Sequence, residues 1–224
     1  MRILIACEES DEVRSRFEKI GFDAWSCDIQ PNRNPNAKHC QCSIFEVLNK
    51  DWDAMIAFPP CTHLAVSGAA WFEQKRKDGR QQEGIDFFMA MINAPIKHIA
   101  VENPVGIMSK IYRKPDQKIQ PYYFGDQAQK TTCLWLKNLP PLYHNSAPNL
   151  FDQNITHVEK GEFIIHKSGK KKPKWYADAF KLKPDQRSKE RSKTFPGIAQ
   201  AMADQWGKYL IEKYGIQNPG CDKS

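Results

Sequence analysis

Residues 54–58 (Ala-Met-Ile-Ala-Phe) form a continuous apolar run that Pro59 and Pro60 bring to a stop. An unbroken run of this length reads as a strand buried on both faces, and proline cannot continue a hydrogen-bonded ladder. Cys61 is therefore delivered to the C-terminal edge of a sheet, on a loop in which two φ angles are preset. In an open α/β sheet that edge is where ligands bind. A thiol held in one place suits a nucleophile; a turn with an incidental buried cysteine is an equal reading of these residues alone.

A second run of the same kind, residues 99–105 (Ile-Ala-Val-Glu-Asn-Pro-Val), places Glu102 and Asn103 just before another proline, 41 residues after Cys61. A carboxylate at the tip of an adjacent strand would face the thiol across one sheet edge. The pairing of Pro-Pro-Cys with a later Glu-Asn-Pro resembles the C5-cytosine DNA methyltransferases, and the chain looks like their compact phage- and prophage-type members from residue 1 to about residue 207. The resemblance implies a doubly wound, mostly parallel α/β sheet of the Rossmann-like kind that uses S-adenosyl-L-methionine, with a short basic insertion. It also implies Cys61 as nucleophile on C6 of cytosine, Glu102 as hydrogen-bond partner of N3 and the amine, and Pro60 and Asn103 as residues shaping the two loops. Amino-directed relatives carry an aromatic residue after the two prolines, so Cys61 points to carbon rather than nitrogen as the methylated atom.

Composition sets the outer bounds. A length of 224 residues with 41% hydrophobic content fits one main globular domain with room for a small insertion. No leader peptide is expected, and no apolar run reaches the length of a membrane span. The seven scattered cysteines fit reduced thiols, hence the cytoplasm of a bacterial host if the gene is phage- or prophage-borne as the resemblance suggests. Between residues 160 and 193, 12 Lys/Arg face four acids (Glu162, Asp178, Asp185, Glu190), a local balance of +8 within a net +7. A basic lobe on a neutral body is the footprint of polyanion binding, and a solvated lysine-rich loop is the bland equivalent. Double-stranded DNA is the expected partner, with tRNA the alternative substrate and a catalytically inactive DNA-binding relative the alternative class, and a monomer is the expected state.

Along the chain, residues 2–6 read as a strand and 10–20 as a helix with Ser10 as N-cap, joined by an acidic turn without glycine. Two adjacent glutamates would repel a pyrophosphate but suit a cofactor carrying a sulfonium and an ammonium. Ala6, Cys7, Glu8 and Ser10 are the candidate contacts there, with Asp11 standing where a glycine is expected. Asp28, at the tip of a second strand, suits a ribose diol, with Ile29 beside it. The resemblance adds Ser43 near the adenine, Phe58 and Pro59 beside the nucleophile, and Ile198 and Ala199 at the head of a C-terminal helix whose apolar face is Ile198, Met202, Trp206 and Leu210. His39, Cys40 and Cys42 lack the second pair that a tetrahedral zinc site needs, so no metal is expected.

Residues 113–129 read as loop and 130–136 as a strand; the arginine motif of larger relatives is absent there, and Lys130 is the substitute candidate for touching the target base. Ser67, in a small-residue stretch after Cys61, is a candidate nucleic-acid contact. So are Lys170, Lys171, Lys172, Lys174, Trp175, Arg187 and Arg191, because aromatics among lysines suit bases as well as phosphates. The expected organisation is a catalytic core over 1–138, a basic target-recognition lobe over 139–192, a returning helix over 193–214 and a tail over 215–224.

Overall fold

The central strands fall where apolar residues run together, because the sheet is covered on both sides there. In this computed structural model, which describes residues 1–147, 154–165, 169 and 171–215, β1 (Arg2–Ala6), β2 (Asp23–Asp28), β3 (His39–Gln41), β4 (Ala54–Ala57) and β5 (His98–Pro104) are followed by β6 (Gln117–Ile119) and β7 (Thr132–Lys137). They form one seven-stranded sheet in the order β3-β2-β1-β4-β5-β7-β6. The first five pair in parallel, and β7 runs antiparallel to both β5 and β6. The doubly wound, mostly parallel α/β class is what the sequence predicts. Strand order reverses between β1 and β4, so the crevice beyond their C-terminal ends lies between the loops carrying Cys7 and Cys61.

Pleating assigns side chains to the two faces. Ile3, Ile5, Ala54, Ile56, Ala100 and Leu134 join one buried cluster with Phe17 of α1 (Arg14–Lys19). Leu4, Ala6, Met55, Ala57, Ile99, Val101 and Trp135 join the other, with no contribution from α2 (Phe72–Lys77) but with Phe88 and Met91 of α3 (Arg80–Ile92) and Met108 of α4 (Met108–Ile111). Beyond the sheet, β8 (Phe163–Ile165) and β9 (Lys171–Pro173) pair antiparallel as a separate two-stranded hairpin. They are followed by α5 (Lys174–Ala179), α6 (Pro184–Ser192), α7 (Pro196–Ala201) and α8 (Gly207–Tyr214).

The C-terminal segment packs beside α1, where Gly207 sits so close to Ile20 that a Cβ would meet its side chain. Ile198, Met202, Trp206 and Leu210 are all buried on the first cluster. Their uniform spacing of four would drift around an α-helix by about 40° per step. A π-helical turn over Met202–Trp206 widens the coil and keeps them on one face.

Two local expectations change. The first helix starts at Arg14 rather than Ser10, because Asp11 is left-handed and residues 12 and 13 form a turn. The polar stretch 113–129 contains β6, whose pairing to β7 supplies the sheet edge, and a 3-10 turn at Pro121–Phe124. Among the described residues of 143–192 there are two strands and two short helices, too brief for periodicity to reveal.

Candidate functional site

Cys61 lies four residues beyond β4, and three separate ties lock its loop to the end of β5. Asn103 Nδ2 donates to the Pro59 carbonyl at 2.9 Å. Ala65 and Gly106 form an isolated antiparallel bridge, with Val66 N donating to Val105 O and Ile107 N to Leu64 O, each at 3.0 Å. Gly106 has to be glycine, since a Cβ there would collide with the Leu64 carbonyl. The Cys61 carbonyl accepts from Leu64 N (3.0 Å) and Ala65 N (2.9 Å), and Lys75 Nζ holds the Thr62 carbonyl at 2.6 Å.

Pleating decides what faces the thiol. Glu102 shares the parity of Ala100, so its carboxylate stands on the face covered by α7, while Asn103 turns the other way to reach Pro59. Across the ladder Glu102 is opposite Leu134, and Thr132 and Lys130 follow on the same side. Glu102, Lys130, Thr132, Lys193, Phe195, Ile198 and Met202 line one small cleft. Burial pushes the Glu102 carboxyl up, against the pull of the Lys130 ammonium and the Thr132 hydroxyl. Burial, and then the Glu102 charge, push the Cys61 thiol up, with Lys130 and Arg191 pulling it down. Burial pushes Lys130 down, and Glu102 and Cys61 oppose that. A thiol, a carboxyl and an ammonium are thus electrically coupled at one sheet edge.

The turn after β1 does something other than present two free acids. Glu8 is 4% exposed, and its carboxylate accepts from Val13 N (2.6 Å) and Arg14 N (3.2 Å), with the Ser10 hydroxyl at 3.4 Å. Glu8, not Ser10, caps α1; the longer side chain reaches back across the turn to the free N–H groups that the helix N-terminus exposes. The Ser10 hydroxyl instead supports Glu8 and accepts from Glu12 N at 3.4 Å. Burial pushes the Glu8 carboxyl up to about 7. Asp11 takes φ 66°, the left-handed conformation a glycine would supply. Its carboxylate pairs with buried Arg14 and accepts from Asn34 Nδ2 at 2.9 Å. Cys7 also sits at φ 59°, and its N–H donates to Cys27 O at 2.7 Å. Burial and the Asp28 charge push the Cys7 thiol up to about 12, so it stays protonated.

The other cofactor candidates are distributed as follows. Ala6 is buried in β1, and Phe58 N donates to Ala6 O at 2.9 Å, joining the two strand ends that flank the crevice. Asp28 ends β2 half-buried; one carboxylate oxygen accepts from Gln30 N at 2.8 Å. Ile29 beside it is 71% exposed. Ser43 caps a 3-10 turn reciprocally with Glu46, so its polar groups are engaged. Ile198 and Ala199 are buried in α7, which Asp126 holds at its N-terminus by accepting from Gly197 N at 2.8 Å. Gly197 admits no Cβ because the Phe124 carbonyl touches it. Asp126, invisible to motif reading because it lies in a polar loop, fixes this helix against the site. His39 Nδ1 and Ser26 Oγ lie 2.9 Å apart, and among the described residues no group of three or more His, Cys, Asp or Glu could hold a metal.

The nucleic-acid candidates separate into engaged and free. Lys130 Nζ donates to Lys193 O (2.9 Å) and Ser192 O (3.4 Å), so this half-buried side chain is tied back to the chain beside Glu102. Trp175 Nε1 donates to Gln129 O at 3.1 Å, and the ring packs edge-on against Phe195. Arg187 donates to the Phe180 and Leu182 carbonyls. Arg191 donates to the Tyr176 hydroxyl at 2.8 Å and lies over the Tyr176 and Phe180 rings. Basic residues interleaved with aromatics therefore pair with those aromatics to hold the lobe together. Lys174 pairs with Glu162. Lys171 and Lys172 are exposed, as is Ser67 in the 3-10 turn Val66–Trp71; Lys170 lies outside the described residues.

No family model matches the chain, and no curated protein does. Among solved structures it is similar to a candidate DNA modification methyltransferase encoded within an E. coli prophage, at 16% identity and a TM-score of 0.46, over 71% of this chain and 53% of that one. The chain thus spans about half the length of that relative. At this identity and TM-score the likeness bears on neither residue roles nor chemistry. Among the described residues no helix is long and apolar enough to cross a membrane.

Proposed function

We propose that this chain transfers a methyl group to C5 of cytosine in double-stranded DNA, using Cys61 as a covalent nucleophile. The observation that carries this reading is the coupling of Cys61, Glu102 and Lys130 at one sheet edge, with Asn103 tying the Cys61 loop to β5. Thiolate addition to C6 of the ring needs a group that neutralises charge as it develops at N3. Glu102, raised by burial, keeps its proton at higher pH than an ordinary carboxyl and can donate it there. Cys61 must lose its own proton first, and the charges of Lys130 and Arg191 favour that loss. When Cys61 later leaves, the electron pair of the C–S bond returns to sulfur and the C5 proton departs to a base.

The residues fit S-adenosyl-L-methionine in part. Asp28 has a carboxylate oxygen beyond the one held by Gln30, and exposed Ile29 offers apolar surface beside it. Glu8 is consumed by α1, and the Cys7 and Glu8 N–H groups are spent on the Cys27 carbonyl, so an amino-acid moiety would meet the Asp28 side of the turn instead. S-adenosyl-L-methionine supplies the electrophilic methyl group that C5 takes. C5 and C6 are hidden inside a duplex, so the base must flip out, at a cost of a few kcal/mol.

Labelled S-adenosyl-L-methionine, duplex DNA and nucleoside mass analysis test this directly, with Cys61→Ala and Glu102→Gln alongside. The reading holds if 5-methylcytosine forms and Cys61→Ala abolishes it. Label on tRNA but not on DNA moves the substrate to RNA with the chemistry intact. No transfer to either, with DNA binding retained, makes the chain a binding protein.

A further inference from the structure

We infer that residues 193–195 are a lid over Glu102 and that the Lys130 ammonium is its latch; this rests on the reading of Glu102 above. These three residues join the end of α6 at Ser192 to the start of α7 at Pro196. They belong to neither helix nor strand, and the backbone is extended at both Lys193 and Phe195, with ψ 141° at each. Lys193, Thr194 and Phe195 wall in the cleft beside Glu102, whose free volume is about 10 Å³. That is room for a single water and not for a pyrimidine ring. The same three residues line a second cavity of about 370 Å³, bounded by Ser10, Asp126 and Trp175. The linker is therefore a thin wall with a nearly filled cleft on one side and open space on the other. A close-packed interior yields only where there is volume to move into, and here that volume lies behind the wall.

The two ends of the wall are held differently. At the α7 end, Gly197 N donates to Asp126 at 2.8 Å and Gly197 lies against the Phe124 carbonyl, while Phe195 packs edge-on against Trp175. At the α6 end, the tie to the sheet is a side chain. Lys130 Nζ donates to the carbonyls of Lys193 (2.9 Å) and Ser192 (3.4 Å), and bonds from a charged donor are the strong ones. The Lys193 ammonium pairs with Glu190 of the adjoining helix, so that pair does not span the cleft. A base entering to meet Glu102 must push residues 193–195 toward the larger cavity, and Lys130 must release its two carbonyls for that to happen.

The test places a reporter thiol on the lid by Thr194→Cys in the full chain and follows its alkylation by iodoacetamide through peptide mass mapping. It needs neither DNA nor cofactor. Adding Lys130→Met removes the latch and should speed modification of position 194 about tenfold, the shift expected from one charge-assisted hydrogen bond. Lys130→Arg keeps a cation that can donate to both carbonyls and should restore the slow rate. Cys133, buried in β7, should stay unmodified throughout and reports that the sheet is intact. If Lys130→Met does not fold, the protein carrying Thr194→Cys alone decides the matter in sub-denaturing urea. Position 194 should then open before Cys133, as a local event of its own. Equal rates with and without the Lys130 ammonium in a folded protein would overturn the latch. Exposure of position 194 only together with Cys133 would overturn the lid. A chain whose position 194 behaves as expected but which forms no 5-methylcytosine keeps the lid and loses the activity. One that methylates DNA while position 194 is indifferent to Lys130 does the reverse.

Discussion

Asn103, at the end of β5, donates its side-chain amide to the carbonyl of Pro59, on the loop that carries Cys61, at 2.9 Å. The bond joins two segments 44 residues apart in the chain and sits in the dry side of the sheet. It makes the spacing of thiol and carboxylate a property of one rigid unit.

Asn103→Leu removes the donor and leaves the Pro59 carbonyl without it. A loss of about 1–3 kcal/mol of stability is expected, the cost of a buried polar group left unpaired. Methyl transfer should fall further than the stability loss explains, because Cys61 and Glu102 lose their shared register. Denaturant melts beside initial rates measure both. A variant with wild-type rates would show that the tie is structural only.

Gly106→Ala should be worse for the site than for the fold. Its Cβ meets the Leu64 carbonyl, so the Ala65–Gly106 bridge has to open. Overpacking of this kind typically costs about 1–3 kcal/mol. The matching readout is alkylation of Cys61 followed by peptide mass mapping, which should accelerate as the loop loosens. Unchanged alkylation would mean that the backbone absorbs the clash elsewhere.

The reactivity of Cys61 should climb with pH at higher values than for an ordinary thiol, since burial and Glu102 favour the protonated form. Lys130 acts in the opposite sense. Lys130→Gln should therefore shift the alkylation profile of Cys61 further toward alkaline pH, and Glu102→Gln should shift it back. A Lys130→Gln profile that overlays the wild type would remove Lys130 from the site.

Glu8 provides a pH signature of the turn after β1. Its folded pKa of about 7 lies above the 4.5 of an ordinary glutamate, so the folded state binds the proton more tightly. Its contribution is full below about 4.5 and declines as pH rises through about 7. Glu8→Gln should flatten that part of the stability profile, read as thermal midpoints across pH 4–8. An unaltered slope would mean that other carboxyls carry it.

Asp11 serves backbone and charge at once, and two substitutions separate them. Asp11→Gly keeps the left-handed conformation and leaves Arg14 with Glu18 as its remaining acidic partner. Asp11→Ala loses the same pair and adds the strain of a positive φ, about 1–2 kcal/mol more. Equal melting points for the two variants would show that the turn relaxes freely.

Much of this architecture was readable in the chain itself. The apolar run at 54–58 locates β4, and its prolines locate the loop that carries Cys61; the run at 99–101 locates β5, which itself carries Glu102 and continues through Pro104. Both signals are local: strand burial and proline stereochemistry act within a few residues. The tertiary structure alone decided which polar groups stay free. Glu8 reads as an exposed acid until α1 is placed above it, and Arg187, Arg191 and Trp175 read as unpartnered side chains until the lobe folds and gives each an internal hydrogen bond. Lys130 becomes the electrostatic partner of Cys61 and Glu102 only because β7 runs antiparallel beside β5. Hydrogen-bond and charge pairing depend on distances between segments far apart in the chain, and those distances exist only once the sheet has formed.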